Sequence, residues 1–179
     1  MKIEREHTAA LAVDYQEKLI PVMHQKEKLM ESSSVLIAGL KTLGIPVILT
    51  QQYTKGLGKT VSGITEAAGT EEFVEKIRFS ACEDVFAAYP WLCGKKYIIL
   101  CGVESHICVL QTLIDLKEKG YVPVLVTDCV SSRKGKDYET ALIRARQEGA
   151  ILTTCEALLF ELLGKAGTQE SKMIQRLIK

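Results

Sequence analysis

The chain has little of what would mark it as a nucleic-acid binder, a membrane protein or a disulfide scaffold. Its 23 Lys and Arg stand against 22 Asp and Glu, a net charge of +1, so no excess of one sign is available to track a phosphate backbone or an anionic lipid surface. No apolar stretch approaches the roughly 20 residues that span a bilayer. The opening MKIEREHTAALAVDYQ puts charges before a short apolar run with no small-residue cleavage site, unlike an export signal. The six cysteines (82, 93, 101, 108, 129 and 155) show no C-x-x-C spacing, which suits neither a disulfide framework nor a zinc knuckle. A reducing, cytoplasmic setting is expected. The three histidines (7, 24 and 106) are too far apart to suggest a ligand set, so neither a metal nor another cofactor is expected. With only four prolines, no internal repeat and no low-complexity tract, 179 residues read as one globular domain, 1-179, whose partners are a small-molecule substrate or further copies of itself.

What is present is an alternation. Apolar runs bounded by polar or turn residues lie at 8–13, 46–50, 96–102 and 122–127, with a shorter one at 150–153, and read as buried strands. Between them, 25–43, 106–119, 138–148 and 156–163 carry apolar residues at helical spacing and are followed by Gly44, Gly120, Gly149 and Gly164. Strands apolar throughout, separated by helices, predict a doubly wound, mainly parallel sheet in a three-layer α/β/α, Rossmann-like fold. The stretch 51–70 has four glycines and no period, and is read as a loop. A last polar helix is expected at 169–179.

Ligands in open parallel sheets bind beyond the carboxyl ends of the strands, and three reactive residues fall at or near strand ends. Asp14 directly follows ALAV; the alternative is an ordinary helix cap. Cys108 lies just past KKYIILCGV and, with Ser105 as cap, in the first helical turn, where free amides and the macrodipole favour thiolate; the alternative is one more small buried residue. In FVEKIRFSAC, local alternation sets Val74, Lys76 and Arg78 opposite Phe73, Glu75 and Ile77. Lys76 is then either solvated or turned into a partly apolar place, where proximity to Cys108 would favour the thiolate.

These segments together resemble the isochorismatase-like hydrolase superfamily. The resemblance runs through ALAVDYQEKLIPVM, QQYTKGLGKTV, EKIRFSAC, LCGVESHICVLQTLIDLKEKGY, VTDCVSSR and EGAILTTCEALLFELLG. It is nearest to the small isochorismatase domain-containing proteins. It implies a catalytic triad of Asp14 as general base, Lys76 and the nucleophile Cys108, a cis peptide between Val103 and Glu104, and an oxyanion hole from the backbone amides of Glu104 and Cys108. The implied chemistry is that of an amidase: the thiol attacks a small amide or related carbonyl, a thioester forms, and water releases it. Gln51, Tyr53 and Leu57 of the glycine loop, with Phe79 and His106, are candidates to line the pocket. For Trp91 core packing outweighs a place in the wall.

Two departures bear on the substrate. Nicotinamidases of the superfamily hold a metal through an Asp-x-His pair and a further His after the second strand, whereas QQYTKGLGKT contains neither Asp nor His. Members that hydrolyse the vinyl ether of isochorismate often lack the cysteine, which this chain keeps. Alternatives to the amidase reading are a catalytically quiet binding or scaffold protein and a vinyl ether hydrolase. The resemblance also implies a homo-oligomer.

Overall fold

The computed structural model describes residues 2–179. Six strands, β1 (Thr8–Val13), β2 (Val47–Gln52), β3 (Phe73–Lys76), β4 (Tyr97–Val103), β5 (Val122–Ser131) and β6 (Ile151–Thr153), form one sheet in the order β3-β2-β1-β4-β5-β6. Every neighbouring pair is parallel. This is the doubly wound α/β architecture expected.

The helices are α1 (Lys26–Thr42), α2 (Thr54–Leu57), α3 (Ser62–Ala68), α4 (Cys82–Ala88), α5 (Leu110–Glu118), α6 (Gly135–Gln147), α7 (Cys155–Leu163) and α8 (Gln169–Ile178). They cover both faces of the sheet. Because successive side chains of a strand point to opposite faces, β1 sends Ala10 and Ala12 into a core shared with α1, α3, α7 and α8. Ala9, Leu11 and Val13 enter a second core shared with α4, α5 and α6. Small residues in β1 let neighbouring elements approach, and Gly102 of β4 is the closest case. At φ 141°, its Cβ would lie 2.3 Å from the Val13 carbonyl oxygen, so only glycine fits beside the end of β1.

The structure departs from the sequence reading where segments are short. The 51–70 stretch contains α2 and α3; a single helical turn and a seven-residue helix with one buried side chain, Ile64, carry too few apolar positions to show a period. The same reason hides α4. Strand β5 runs past Thr127 to Ser131 through an irregularity: Leu100 pairs with Leu125, but Gly102 pairs with Val130. The extra residues push Asp128 outward, where its Oδ1 accepts from the Cys155 amide at the start of α7 (2.8 Å), and bring Ser131 and Ser132 toward the end of β4. Trp91 is 46% exposed, in a 3-10 turn that enters β4 from its amino end, so it is neither core nor pocket wall. Among the described residues no helix is long and apolar enough to cross a membrane.

Candidate functional site

Strands β1 and β4 are neighbours at the point where strand order reverses, and the polar residues that follow them meet there. Asp14 leaves β1 with φ 57° and its carboxylate is wholly buried. Thr50 of β2 donates to Asp14 Oδ1 at 2.7 Å. Lys76 ends β3, in register with Gln52, and is also buried. Its Nζ lies 2.7 Å from Asp14 Oδ2 and donates to Gln52 Oε1 (2.7 Å) and to the carbonyls of Phe79 (2.9 Å) and Arg78 (3.3 Å). The ammonium is thus shared between Asp14 Oδ2 and three neutral oxygens, and among the described residues no hydrogen bond other than this ion pair reaches Oδ2.

Cys108, only 4% exposed, sits in a wide π-helical turn, Ser105–Val109, that precedes α5. The thiol does not behave as its place near a helix N-terminus suggests. Burial raises its pKa to about 12, the Asp14 charge pushes the same way, and Lys76 opposes them only in part. Desolvation of a thiolate outweighs the helix terminus here. Nor is Ser105 the cap: Glu104 holds that position in the left-handed region, and Ser105 Oγ pairs with Ser132 Oγ at 2.5 Å.

The Val103–Glu104 peptide is trans, contrary to the cis bond that the resemblance implies. The chain turns from strand to helix through Glu104 at φ 55°. A left-handed residue costs about 1–2 kcal/mol, less than the about 2.5–4 kcal/mol of a non-proline cis bond. Glu104 is buried; its Oε1 lies 2.7 Å from Arg133 Nε. His106 Nδ1 bonds Ser132 Oγ (2.9 Å) and its Nε2 lies 3.9 Å from Asp137, so the ring is held by its neighbours on the far side of the turn.

The remaining expected pocket residues fare differently. Gln51 is buried and ties the following segment together, donating to Thr60 Oγ1 (2.9 Å) and accepting from Thr54 Oγ1 (3.0 Å). Tyr53 and Phe79 are about half exposed and Leu57 is half-buried at the end of α2. A cleft of about 660 Å³ along β3 is lined by Tyr53, Ile77 and Arg78 and reaches Lys76. A better-enclosed cavity of about 420 Å³ lies instead beside β5, lined by His24, Lys28, Asp128 and Tyr138, and none of the three reactive residues borders it. Among the described residues no three His, Cys, Asp or Glu side chains group as metal ligands.

Thr50, Gln52 and Arg133 belong to the site and were not singled out from the sequence. The polar triplet Thr50-Gln51-Gln52, closing an otherwise apolar strand, was the available signal. Arg133 carried none.

The isochorismatase domain model matches residues 8–157, a span that contains Asp14, Lys76 and Cys108. The chain is 36% identical to the secreted isochorismatase effector Isc1 of Phytophthora sojae, over 97% of this chain and 85% of that protein. It is 36% identical to isochorismatase domain-containing protein 1 of Salmo salar over 96% of this chain, but spans only 61% of that protein's length. Among solved structures, the MAR1 ribonuclease of Caenorhabditis elegans superposes with a TM-score of 0.92 at 36% identity, covering 99% of this chain and 92% of the other. With the doubly wound sheet, the strand-end residues and these matches over nearly its whole length, the chain belongs to the isochorismatase domain family.

Proposed function

We propose that the chain is a cysteine-dependent, metal-independent hydrolase of small amides or related carbonyl compounds, working through a thioester. Family membership supports a hydrolase; the single observation that carries the finer reading is the dry Asp14–Lys76 pair beside a thiol that rests protonated. With a pKa near 12 almost no thiolate exists at pH 7, so the proton leaves as the sulfur attacks. Asp14 is the base within reach. Its carboxylate takes the proton, while Lys76, 2.7 Å from Oδ2, keeps it ionised inside the protein until then.

The sulfur–carbon bond forms, and the carbonyl oxygen gathers charge against the backbone amides of Glu104 and Cys108, where one donor is worth about 2.7–4 kcal/mol. Collapse breaks the carbon–nitrogen bond, and the leaving nitrogen takes the proton held by Asp14. Water then attacks the thioester, Asp14 accepts its proton, and the acid leaves as the thiol is restored. The way in for substrate is on this reading the β3 cleft, whose lining includes Lys76 but neither Asp14 nor Cys108. The exposed Tyr53, Ile77 and Phe79 around that cleft suit burial against a second copy of the chain.

RNA is the weaker substrate despite the ribonuclease name of several neighbours, because a net charge of +1 supplies no phosphate track. The test is a panel of small primary amides and ureas, scored for ammonia release and, after acid quenching, for an acyl adduct on Cys108 by mass spectrometry. An adduct and ammonia release that both vanish in Cys108→Ala are expected. Ammonia release that survives Cys108→Ala, or cleavage of RNA with no reaction of any amide, refutes the reading.

A further inference from the structure

Asp14 and Lys76 form an ion pair although the strands that carry them are not neighbours. Strand β2 lies between β1 and β3, and two strand spacings set those strands about 9–10 Å apart. Asp14 has only just left β1, since its amide still donates to the Thr50 carbonyl of β2 (3.2 Å). The 2.7 Å contact between Lys76 Nζ and Asp14 Oδ2 therefore crosses β2, and the side chains β2 presents at that level decide whether the two ions can meet.

Successive side chains of a strand point to opposite faces, so Thr50 and Gln52 share one face of β2. Thr50 is in register with Val13 of β1 and Val74 of β3, and Gln52 with Lys76. Gln52 Oε1 accepts from the Lys76 ammonium at 2.7 Å while its Nε2 donates to the Ile77 carbonyl at 2.7 Å, which holds the amide from both ends. Gln16, wholly buried, bonds the Gln52 peptide N–H (2.7 Å) and its carbonyl (3.0 Å). The lysine end of the pair is thus braced from β2.

The acid end has its own brace. Thr50 is 1% exposed, and its lateral neighbours are both valine. A hydroxyl buried in such a row is unfavourable unless it is hydrogen-bonded, and valine would suit the strand as well or better. Among the described residues that hydroxyl makes one hydrogen bond, to Asp14 Oδ1 at 2.7 Å. Packing and strand propensity leave it unexplained; the carboxylate explains it. With Oδ1 held by Thr50 and Oδ2 by Lys76, each oxygen has a donor and the carboxylate is fixed in rotation.

Resting on the hydrolase reading above, we infer that Thr50 is a positioning residue of the triad: its hydroxyl holds the Asp14 carboxylate in the orientation that keeps Oδ2 on the Lys76 ammonium across β2. Its part in the reaction is taken through Asp14. A hydrogen bond to a charged group is commonly worth a factor of about ten or more.

Thr50→Val keeps the shape and loses the donor, whereas Thr50→Ser keeps the donor and loses the methyl, so the two variants separate this role from strand packing. Urea unfolding reads them without any substrate. We expect Thr50→Val to lower the folding equilibrium constant by about tenfold or more, and by more than Thr50→Ser does. A strand residue with no tie to Asp14 gives the reverse order. On the amide panel, kcat of Thr50→Val should fall at least about tenfold with KM within about twofold, while Thr50→Ser should stay within about threefold of wild type. A Thr50→Val protein at least as stable as wild type, or a Thr50→Ser protein as impaired in kcat as Thr50→Val, overturns the inference. If the wild type turns over no amide, the hydrolase reading falls, and the order of stabilities still decides whether Thr50 holds the carboxylate.

Discussion

Two carboxylate–cation pairs flank the same thiol, and they are built in opposite ways. Asp14 and Lys76 come from the ends of β1 and β3, both side chains have no exposed surface, and the lysine is held by three further oxygens. Glu104 and Arg133 follow β4 and β5, and while the acid is buried the arginine reaches solvent. The dry pair is rigid: neither partner has water to fall back on, so each ion depends on the other. The half-wet pair is adjustable, since Arg133 loses little by letting go.

The largest effect is expected from Lys76→Met, which leaves the Asp14 carboxylate buried without its cation. Urea unfolding should show a loss of about 3–5 kcal/mol together with loss of amide hydrolysis. A loss under about 1 kcal/mol would mean that the pair is less dry than its burial indicates. Asp14→Asn separates acidity from catalysis. Removing the negative charge lowers the Cys108 pKa, because that charge now opposes the thiolate, so iodoacetamide alkylation of Cys108 near neutral pH should quicken, as read by mass spectrometry. Turnover should nevertheless fall by about 100-fold or more, since the base is gone. Activity that survives would assign the proton to another group.

Burial also sets a pH limit. The thiols of Cys101 and Cys108 are raised from 9.0 to about 12, in both cases chiefly by burial. Their folded-state pKa lies above the unfolded value, so the stability they contribute is intact below pH 9 and is lost as pH climbs toward 12. Denaturant titrations should fall by about 3 kcal/mol per thiol by pH 11, with Cys108→Ala removing one share. The smallest change belongs to the half-wet pair. Arg133→Met should cost less stability than Lys76→Met, because Arg133 is more than half exposed, and an equal loss would erase the contrast between the two pairs.

The parallel sheet, its five long or strongly apolar strands and the major helices were legible because continuous apolar runs and helical spacing are local signals that burial on both faces demands. Lys76 was legible as far as its partnership with Val74, while the sequence left open whether that face was solvated or turned inward. Asp14 and Cys108 could be placed at strand ends in the same way. The short elements α2, α3 and α4 were not, because they bury too few side chains to repeat.

Three things waited for the tertiary structure. The acidity of Cys108 ran opposite to its place in the chain, because a helix terminus is a local property while desolvation depends on everything packed around the sulfur. The turn at Glu104 was made by a left-handed residue and not by a cis bond. The alignment of Thr50, Gln52 and Lys76 around Asp14 depends on the register of β1, β2 and β3, which brings residues far apart in sequence within hydrogen-bond distance. By itself, the order of residues determined where the apolar strands and the longer helices lie. Which charges then share a dry space is settled only when the strands lie side by side, because that is when water leaves and each ion has to find a partner.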